Sequence, residues 1–438
     1  MMARISGGLL LVCIALVLSV DVGRAETAAT PEGCRAASRN TLSALEARRE
    51  VLERDVAQKS ANASAPAAKA RERDLRQSQE ELLEVLYQID CLKIAAEEAA
   101  SKRARELAGP QPLLEVTTYY ATNRKPSGNG APAKFYGFDR ASSLQYGRAI
   151  VTIPSTHTPG NLELPSLWKL ERSADPSKHF VLKAVLALSK DAARKEMVEK
   201  LAGMPSHALL VFVHGYYTSF ADAALRTAQL AHDLQFPGMA FFYSWPSAGK
   251  ALSYWQDEEA SELSNDAFEQ LLGELSQLPA SDIYIVAHSM GNRIVASALR
   301  SRVEKNEDTK HIRALLLAAP DINADLFRET IAPKLAAMQG TQTTIYAASS
   351  DLALKASKIV HGFKRVGETV GGVFIYPGLD TIDASSVATV TRDFGHAYLM
   401  DSTSVLKDIQ AIVAHSLAAK QRGLAEVGTS PNQYWQLH

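Results

Sequence analysis

Ser289 lies in the stretch whose residue types and spacing most clearly suggest chemistry. The five residues from Ile283 to Ala287 are apolar and partly β-branched, which predicts a buried strand. Apolar residues at helical spacing between Asn292 and Arg302 predict a helix shortly afterwards. A strand, a sharp turn with a central serine, and a helix make up a nucleophile elbow, which exposes the serine hydroxyl at the edge of a sheet. Ser289 is therefore the candidate nucleophile.

A serine hydroxyl attacks a substrate only when a base takes its proton and an acid orients that base. In sheets of this kind the acid and then the histidine follow the serine along the chain. His396, in a loop before the last predicted helix, is the predicted base. Asp351 lies three residues after the predicted strand Thr343 to Ala348 and is the predicted acid. Asp321 and Asp383 remain the alternatives.

A developing oxyanion needs hydrogen-bond donors, and two backbone N–H groups are candidates. One belongs to Met290, the residue after the nucleophile. The other is predicted at Tyr216, because a histidine-glycine pair directly follows the buried strand Leu209 to Val213. Glycine there would let the backbone turn close to a substrate.

Three further residues are candidates for a substrate pocket. Trp245, in the string Ser-Trp-Pro-Ser, and Tyr217 could supply aromatic walls, although Trp245 fits core packing equally well. Arg124 fits two roles: it binds an anionic group of the substrate, or it forms a structural ion pair with a carboxylate such as Asp321.

The overall composition excludes several classes of function. The 438 residues are 46% hydrophobic and carry a formal net charge of -1, so no basic surplus indicates nucleic acid. Neither metal-ligand spacing nor a phosphate-binding glycine loop is evident in the sequence. We therefore predict no metal and no cofactor.

Residues 1–25 have the pattern of a secretory signal peptide. Arg4 precedes an apolar run from Gly7 to Val20, and Gly23-Arg24-Ala25 provides small residues for cleavage. An uncleaved anchor is the alternative, but the run is short for a bilayer span of roughly 20 residues. The sequence predicts an exported protein, periplasmic or secreted, without a stable membrane span after cleavage.

Residues 26–110 predict an antiparallel helical hairpin. Both arms are rich in strong helix formers with heptad-like leucines, and residues 60–66 interrupt them. A turn near Ala63 places Cys34 and Cys91 almost level, as a disulfide across the hairpin requires. The hairpin contains no catalytic constellation, so it is either a structural appendage or an arm that binds a protein partner.

Residues 111–425 predict a single α/β domain, followed by a tail at 426–438. Alternating strands and helices after His207 indicate a mostly parallel sheet with helices on both faces. The strands are predicted at 113–120, 147–153, 180–188, 208–213, 239–244, 282–287, 314–319, 343–348 and 373–376.

An ordered set of short strings connects these observations with a known fold: Tyr120–Arg124 (YATNR), Val213–Tyr216 (VHGY), Ser219–Phe220, Ser244–Ser247 (SWPS), Ala287–Asn292 (AHSMGN), Ala318–Asp321 (AAPD) and Gly395–His396. With them the chain resembles the α/β-hydrolase superfamily, and in particular an esterase/lipase-like bacterial family of unknown function. The resemblance implies a serine hydrolase fold with a Ser289, Asp351, His396 triad. It does not imply a substrate.

Three hypotheses follow for the function. The first is an exported serine hydrolase that cleaves a small-molecule carboxylic ester through an acyl-Ser289 intermediate. The second is a non-catalytic binding or scaffold protein that acts through the helical hairpin, since fold alone does not establish activity. The third is amide, thioester or lipid acyl hydrolysis on the same triad.

Overall fold

The computed structural model describes residues 42–61, 77, 81, 85, 113–165, 174–248, 254–349, 363–387 and 401–437. The chain divides into two compact units, one of Met1–Pro110 with Pro165–Ser173 and one of Gln111–Leu164 with Ala174–His438. Several predicted features lie outside the described residues and stay predictions: the signal peptide at 1–25, the cysteines Cys34 and Cys91, the acid Asp351 and the base His396.

The first unit is described mainly by one helix, α1 (Leu42–Ala61). A small buried cluster is formed by Leu45, Leu52 and Val85. An exposed ion pair of 3.8 Å joins Arg48 Nη2 to a carboxylate oxygen of Glu81. These contacts fit a second helical arm near residues 81–85. The hairpin as a whole, with its turn, remains a prediction.

The second unit contains the strands and most of the described helices. The strands are β1 (Leu114–Pro126), β2 (Tyr136–Ile153), β3 (Val181–Leu188), β4 (Leu209–Val213), β5 (Met239–Ser244), β6 (Ile283–His288), β7 (Ile312–Ala318), β8 (Gln342–Ala347), β9 (Asp380–Asp383), β10 (Ala425–Val427) and β11 (Tyr434–Gln436). The helices are α2 (Lys190–Ala202), α3 (Phe220–Asp233), α4 (Tyr254–Glu262), α5 (Asn265–Leu275), α6 (Gly291–Glu304) and α7 (Thr403–His415), with a broken helical segment over 324–336 between β7 and β8. Within the described residues, every helix is too short or too polar to cross a bilayer.

The strands form one sheet in the order β10-β11-β9-β8-β7-β6-β4-β5-β1-β2-β3. In this spatial order, each pair of neighbouring strands between β11 and β1 is parallel. The outer strands β10, β2 and β3 pair antiparallel with their neighbours. The prediction of a mostly parallel sheet is therefore confirmed. Because β4, β6, β7, β8 and β9 run in the same direction, their carboxyl ends lie along one edge of the sheet.

The central strands of the sheet are buried on both faces, as their unbroken apolar runs predict. In β4, Leu209, Val211 and Val213 belong to one hydrophobic cluster, and Leu210 and Phe212 belong to another. This alternation follows the two-residue period of a strand. Helices α5 and α6 contribute to the first cluster and α3 to the second, so helices cover both faces.

Two parts of the sheet differ from the sequence prediction. The strand predicted at 373–376 is wrong, because that segment is irregular and the strand is β9 at Asp380–Asp383. Positive φ angles at Gly371, Gly372 and Gly378 turn the chain on both sides of the predicted segment. The residues predicted as a tail supply β10 and β11, and Trp435 of β11 pairs with Ile382 of β9.

Candidate active site

Ser289 lies in a two-residue turn at the carboxyl edge of the sheet. Strand β6 ends at His288 and α6 begins at Gly291, so the strand–turn–helix order predicted from the sequence is present. The φ angle of Ser289 is 51°, in the left-handed region that residues other than glycine rarely adopt. Such a conformation costs on the order of 1–3 kcal/mol and persists where the surroundings enforce it. The backbone therefore has the strained form of a nucleophile elbow.

Asn292 holds this turn in place. Its side-chain Nδ2 donates hydrogen bonds to the carbonyl oxygens of Ser289, at 2.8 Å, and of Ala318, at 2.9 Å. Ser289 N–H also donates to Ala318 O at 2.9 Å, so the turn is bonded to the end of the neighbouring strand β7. Sequence reasoning assigned no role to Asn292, although its place at the end of the Ala-His-Ser-Met-Gly-Asn string was a signal.

Two glycines allow the loop after β4 to approach the turn. A Cβ on Gly215 would lie 2.7 Å from the Cβ of Ser289. A Cβ on Gly291 would lie 2.3 Å from the carbonyl oxygen of His214 and 2.8 Å from that of Val213. Real Cβ atoms do not make such contacts, so larger residues would separate the loop from the elbow.

Gly291→Ala is expected to lower the free energy of unfolding by about 1–3 kcal/mol, the usual penalty for overpacking a tight interior. The obstacle is backbone carbonyl groups, which cannot rotate away as a flexible side chain can. Urea denaturation of the purified protein would measure the change. Gly203→Ala is the matched control, because Gly203 has φ of −97° and an added Cβ meets only Lys200 O at 3.7 Å. An equal loss in both variants would contradict this account of the elbow.

Of the two predicted oxyanion donors, Met290 is adjacent to Ser289 in sequence, and Tyr216 belongs to the loop that contacts Ser289. Met290 is fully buried, and no hydrogen bond between described residues uses its backbone N–H. Gly215 is in contact with Ser289, and Tyr216 is the next residue of that loop. The assignment of Met290 and Tyr216 as donors stays a prediction with compatible geometry.

Arg124 has no exposed surface, so the structure does not place it in an open substrate pocket. Its guanidinium donates to Ser244 Oγ at 2.9 Å, to Ser247 O at 3.1 Å and to Thr218 O at 2.8 Å. Burial lowers the pKa of Arg124 to about 9, and Asp257 partly offsets this effect. The predicted ion pair with Asp321 is wrong, because Arg124 instead ties together the loops after β4 and β5.

Trp245 is also fully buried, so core packing is its observed role. Its Nε1 donates to His214 O at 2.8 Å, and its ring stacks on the His214 imidazole with centroids 5.1 Å apart. Burial and, secondarily, the charge of Arg124 lower the pKa of His214 to about 3, which keeps that imidazole neutral. Trp245 thus supports the loop that contacts Ser289 and does not line an open pocket.

Tyr217 is the one residue of the predicted pocket set with a half-exposed side chain. Its φ is 59°, so the loop after β4 also contains a residue in the left-handed region. The loop is anchored by Asp257 of α4, a buried residue that sequence reasoning missed because no motif surrounds it. Its carboxylate accepts from Tyr217 N at 3.2 Å, Ser247 Oγ at 2.5 Å and Ala248 N at 2.5 Å. Burial raises the pKa of Asp257, while these hydrogen bonds oppose the rise.

Asp321, an alternative for the acid, is engaged by other groups. It is buried, with Oδ1 at 3.2 Å from Arg365 Nε and Oδ2 at 3.5 Å from Arg293 Nη2. Tyr254 Oη also donates to its Oδ2 at 2.5 Å. Two arginines and a tyrosine thus contact this carboxylate, and Asp321 stays an alternative for the acid.

Asp383, the other alternative, ends β9 at the carboxyl edge of the sheet. Its Oδ1 accepts hydrogen bonds from Ser385 N at 2.9 Å and from Ser385 Oγ, which makes a local turn. Strand β8 ends at the same edge, four residues before Asp351. Asp351 and His396 lie outside the described residues, so their distances to Ser289 stay predictions.

Comparisons with known proteins fit this architecture. The family model described as "Alpha/beta hydrolase of unknown function (DUF900)" matches residues 189–414, just over half of the chain. A search of curated proteins returned no match.

Several solved structures also match, at low similarity. Esterase PE8 shares 14% identity, covers 48% of this chain and 94% of its own, and has a TM-score of 0.30. The hyperthermophilic esterase from the archaeon Pyrobaculum calidifontis shares 12% identity, with coverage of 84% and 98% and a TM-score of 0.29. Carboxyl esterase 2 from Tuber melanosporum shares 10% identity, with coverage of 73% and 95% and a TM-score of 0.29. At such scores these structural matches carry no argument, and the assignment of the chain to a family rests on the family model.

The matched range, residues 189–414, contains strands β4 to β9, the strained turn at Ser289 and the glycine-dependent contact with the loop after β4. The chain belongs to the DUF900 family of alpha/beta hydrolases.

Proposed function

We propose that this protein is an exported serine hydrolase that cleaves carboxylic esters through an acyl-Ser289 intermediate. The observation that carries the proposal is the left-handed turn at Ser289, between a buried strand and a helix, with the Gly215 backbone against it. Ser289 is 3% exposed, and its hydrogen bonds with other described residues are made by its backbone.

The proposed reaction has two halves. His396 takes the hydroxyl proton while Ser289 Oγ attacks the carbonyl carbon, and the carbonyl oxygen becomes an oxyanion held by the N–H groups of Met290 and Tyr216. The intermediate collapses, the C–O bond to the alcohol breaks, and His396 returns the proton to the departing alkoxide. Water then attacks the acyl group with the same proton transfers, releasing the acid and restoring Ser289. Asp351 orients the imidazole throughout.

The proposed location and substrate class depend on different parts of the chain. The signal peptide pattern at 1–25 supports export. The half-exposed Tyr217, beside the contact between Gly215 and Ser289, supports an aromatic wall near the reacting carbonyl. Ester hydrolysis is the proposed reaction, with amides and thioesters as competing acyl substrates on the same residues.

Labelling with a fluorophosphonate probe tests the activated serine directly. We expect the folded protein to bind one probe molecule per chain. The adduct should map to the peptide that contains Ser289. Heat-denatured protein provides the matched control, because an unfolded serine hydroxyl lacks the base that activates it.

Two results would count against the proposal. Labelling that persists after denaturation would indicate nonspecific chemistry, and a folded protein without any adduct would favour the binding or scaffold hypothesis. Hydrolysis of matched ester, amide and thioester substrates by the labelling-competent protein would then rank the acyl classes.

A further inference from the structure

A second cluster of titratable groups, outside the candidate active site, connects the loop after β2 with the end of α3. His157 lies in that loop, and His232 and Asp233 lie in the last turn of α3. One nitrogen or oxygen atom from each of these three residues lies within 4.8 Å of the others. We propose that His157, His232 and Asp233 bind a zinc ion, in contrast to the prediction of no metal from the sequence.

The donor set suits this metal. Imidazole nitrogen and carboxylate oxygen are common zinc ligands, at about 2.0–2.2 Å from the ion, and three protein ligands leave one position for water. His157 Nε2 and Asp233 Oδ1 are already 2.6 Å apart. A tetrahedral ion would require these two atoms to separate slightly and the half-buried His232 ring to turn inward.

The atoms that would face the ion are oriented by neighbouring groups, as in many metal sites. Glu163 Oε2 lies 2.8 Å from His157 Nδ1, which directs Nε2 towards Asp233. The other oxygen of Asp233, Oδ2, accepts hydrogen bonds from Gly160 N at 2.9 Å and Gln229 Nε2 at 3.2 Å. Only Oδ1 of Asp233 therefore faces His157. This carboxylate–histidine arrangement is the outer shell that zinc-binding histidines usually have.

The charges and the packing of the cluster also favour a bound divalent cation. The carboxylates of Glu163 and Asp233 carry two negative charges, and the His157 imidazolium between them offsets one; a divalent cation with two neutral imidazoles would balance both. The His157 and Asp233 side chains are almost completely buried, and the Phe180 ring packs edge-on against His157 with centroids 5.0 Å apart. On binding, zinc displaces the proton shared by His157 Nε2 and Asp233 Oδ1, and that proton leaves to solvent.

Calorimetric titration of the full chain with zinc chloride tests the site, after chelator treatment and dialysis, at mildly alkaline pH. We expect one zinc per chain. His232→Ala removes a ligand whose ring makes no hydrogen bond with the described residues, so the bridge between His157 and the carboxylates survives. This variant should bind zinc at least about 100-fold more weakly, and Glu163→Gln about 10- to 100-fold more weakly.

His415→Ala is the matched control, because His415 also ends a helix, α7, but is exposed. It should bind zinc as the unsubstituted protein does. Zinc should also raise the melting temperature of the unsubstituted protein and not that of His232→Ala. The absence of stoichiometric zinc binding, or zinc binding unaffected by His232→Ala, would overturn the proposal and leave His157 as a proton-bridged structural link. Fluorophosphonate labelling of Ser289 is independent of either result.

Discussion

Ser289→Ala is expected to lower the turnover of a short-chain p-nitrophenyl ester by about 10⁶-fold. Removing the nucleophile of a working triad has this effect because no covalent intermediate can form, and the histidine and the acid then have no nucleophile to activate. For the same reason, the double variant with His396→Ala should be no less active than Ser289→Ala alone. Steady-state hydrolysis at high enzyme concentration measures the loss, and thermal unfolding checks that the fold persists.

Ser281→Ala is the matched control for that substitution. Ser281 is exposed and precedes the amino end of β6, whereas Ser289 follows its carboxyl end. Each variant removes one hydroxyl beside β6, but Ser281 lies at the opposite edge of the sheet from Ser289. Ser281→Ala should retain full activity. If Ser289→Ala kept more than about one hundredth of the activity, another residue would be the nucleophile.

Asp351→Asn is expected to lower turnover by about 10⁴-fold with little change in substrate binding. An amide in place of the orienting carboxylate leaves the shape intact but favours the wrong histidine tautomer. Asp351 follows β8, whose carboxyl end lies at the same edge of the sheet as that of β6. Measurements of kcat and KM on the ester substrate separate the chemical step from binding.

The same substitution at the two alternative acids provides the comparison. Asp321→Asn breaks a buried pair with Arg365 and Arg293, so its main expected effect is a loss of about 3–5 kcal/mol in stability. Asp383→Asn removes a local turn contact with Ser385, and turnover should change by less than about tenfold. A folded Asp321→Asn or Asp383→Asn variant with a 10⁴-fold loss, beside an active Asp351→Asn, would reassign the acid.

Sequence alone was a reliable guide to the central strands and to the turn at Ser289. Strands β4 and β6 are short apolar runs bounded by turn residues, and a strand buried on both faces permits few other residue types. The serine turn and the histidine-glycine pair are also visible in the sequence, because a tight turn restricts the residue types at a few adjacent positions. The predicted strand at 373–376 is wrong although its residue types suit a strand, because β9 occupies the position beside β8 in the sheet.

Only the tertiary structure decided how the surrounding residues are used. The residue types of Arg124 and Trp245 suit a substrate pocket or an interior equally well, and their complete burial shows the interior role. Asn292 and Asp257 hold the loops of the site through hydrogen bonds to backbone groups 26 and 40 residues away, which no local sequence pattern predicts. His157 meets His232 and Asp233 across more than seventy residues of chain. Contacts of this kind depend on how the chain returns to itself, so they become visible only when the sheet and helices are packed.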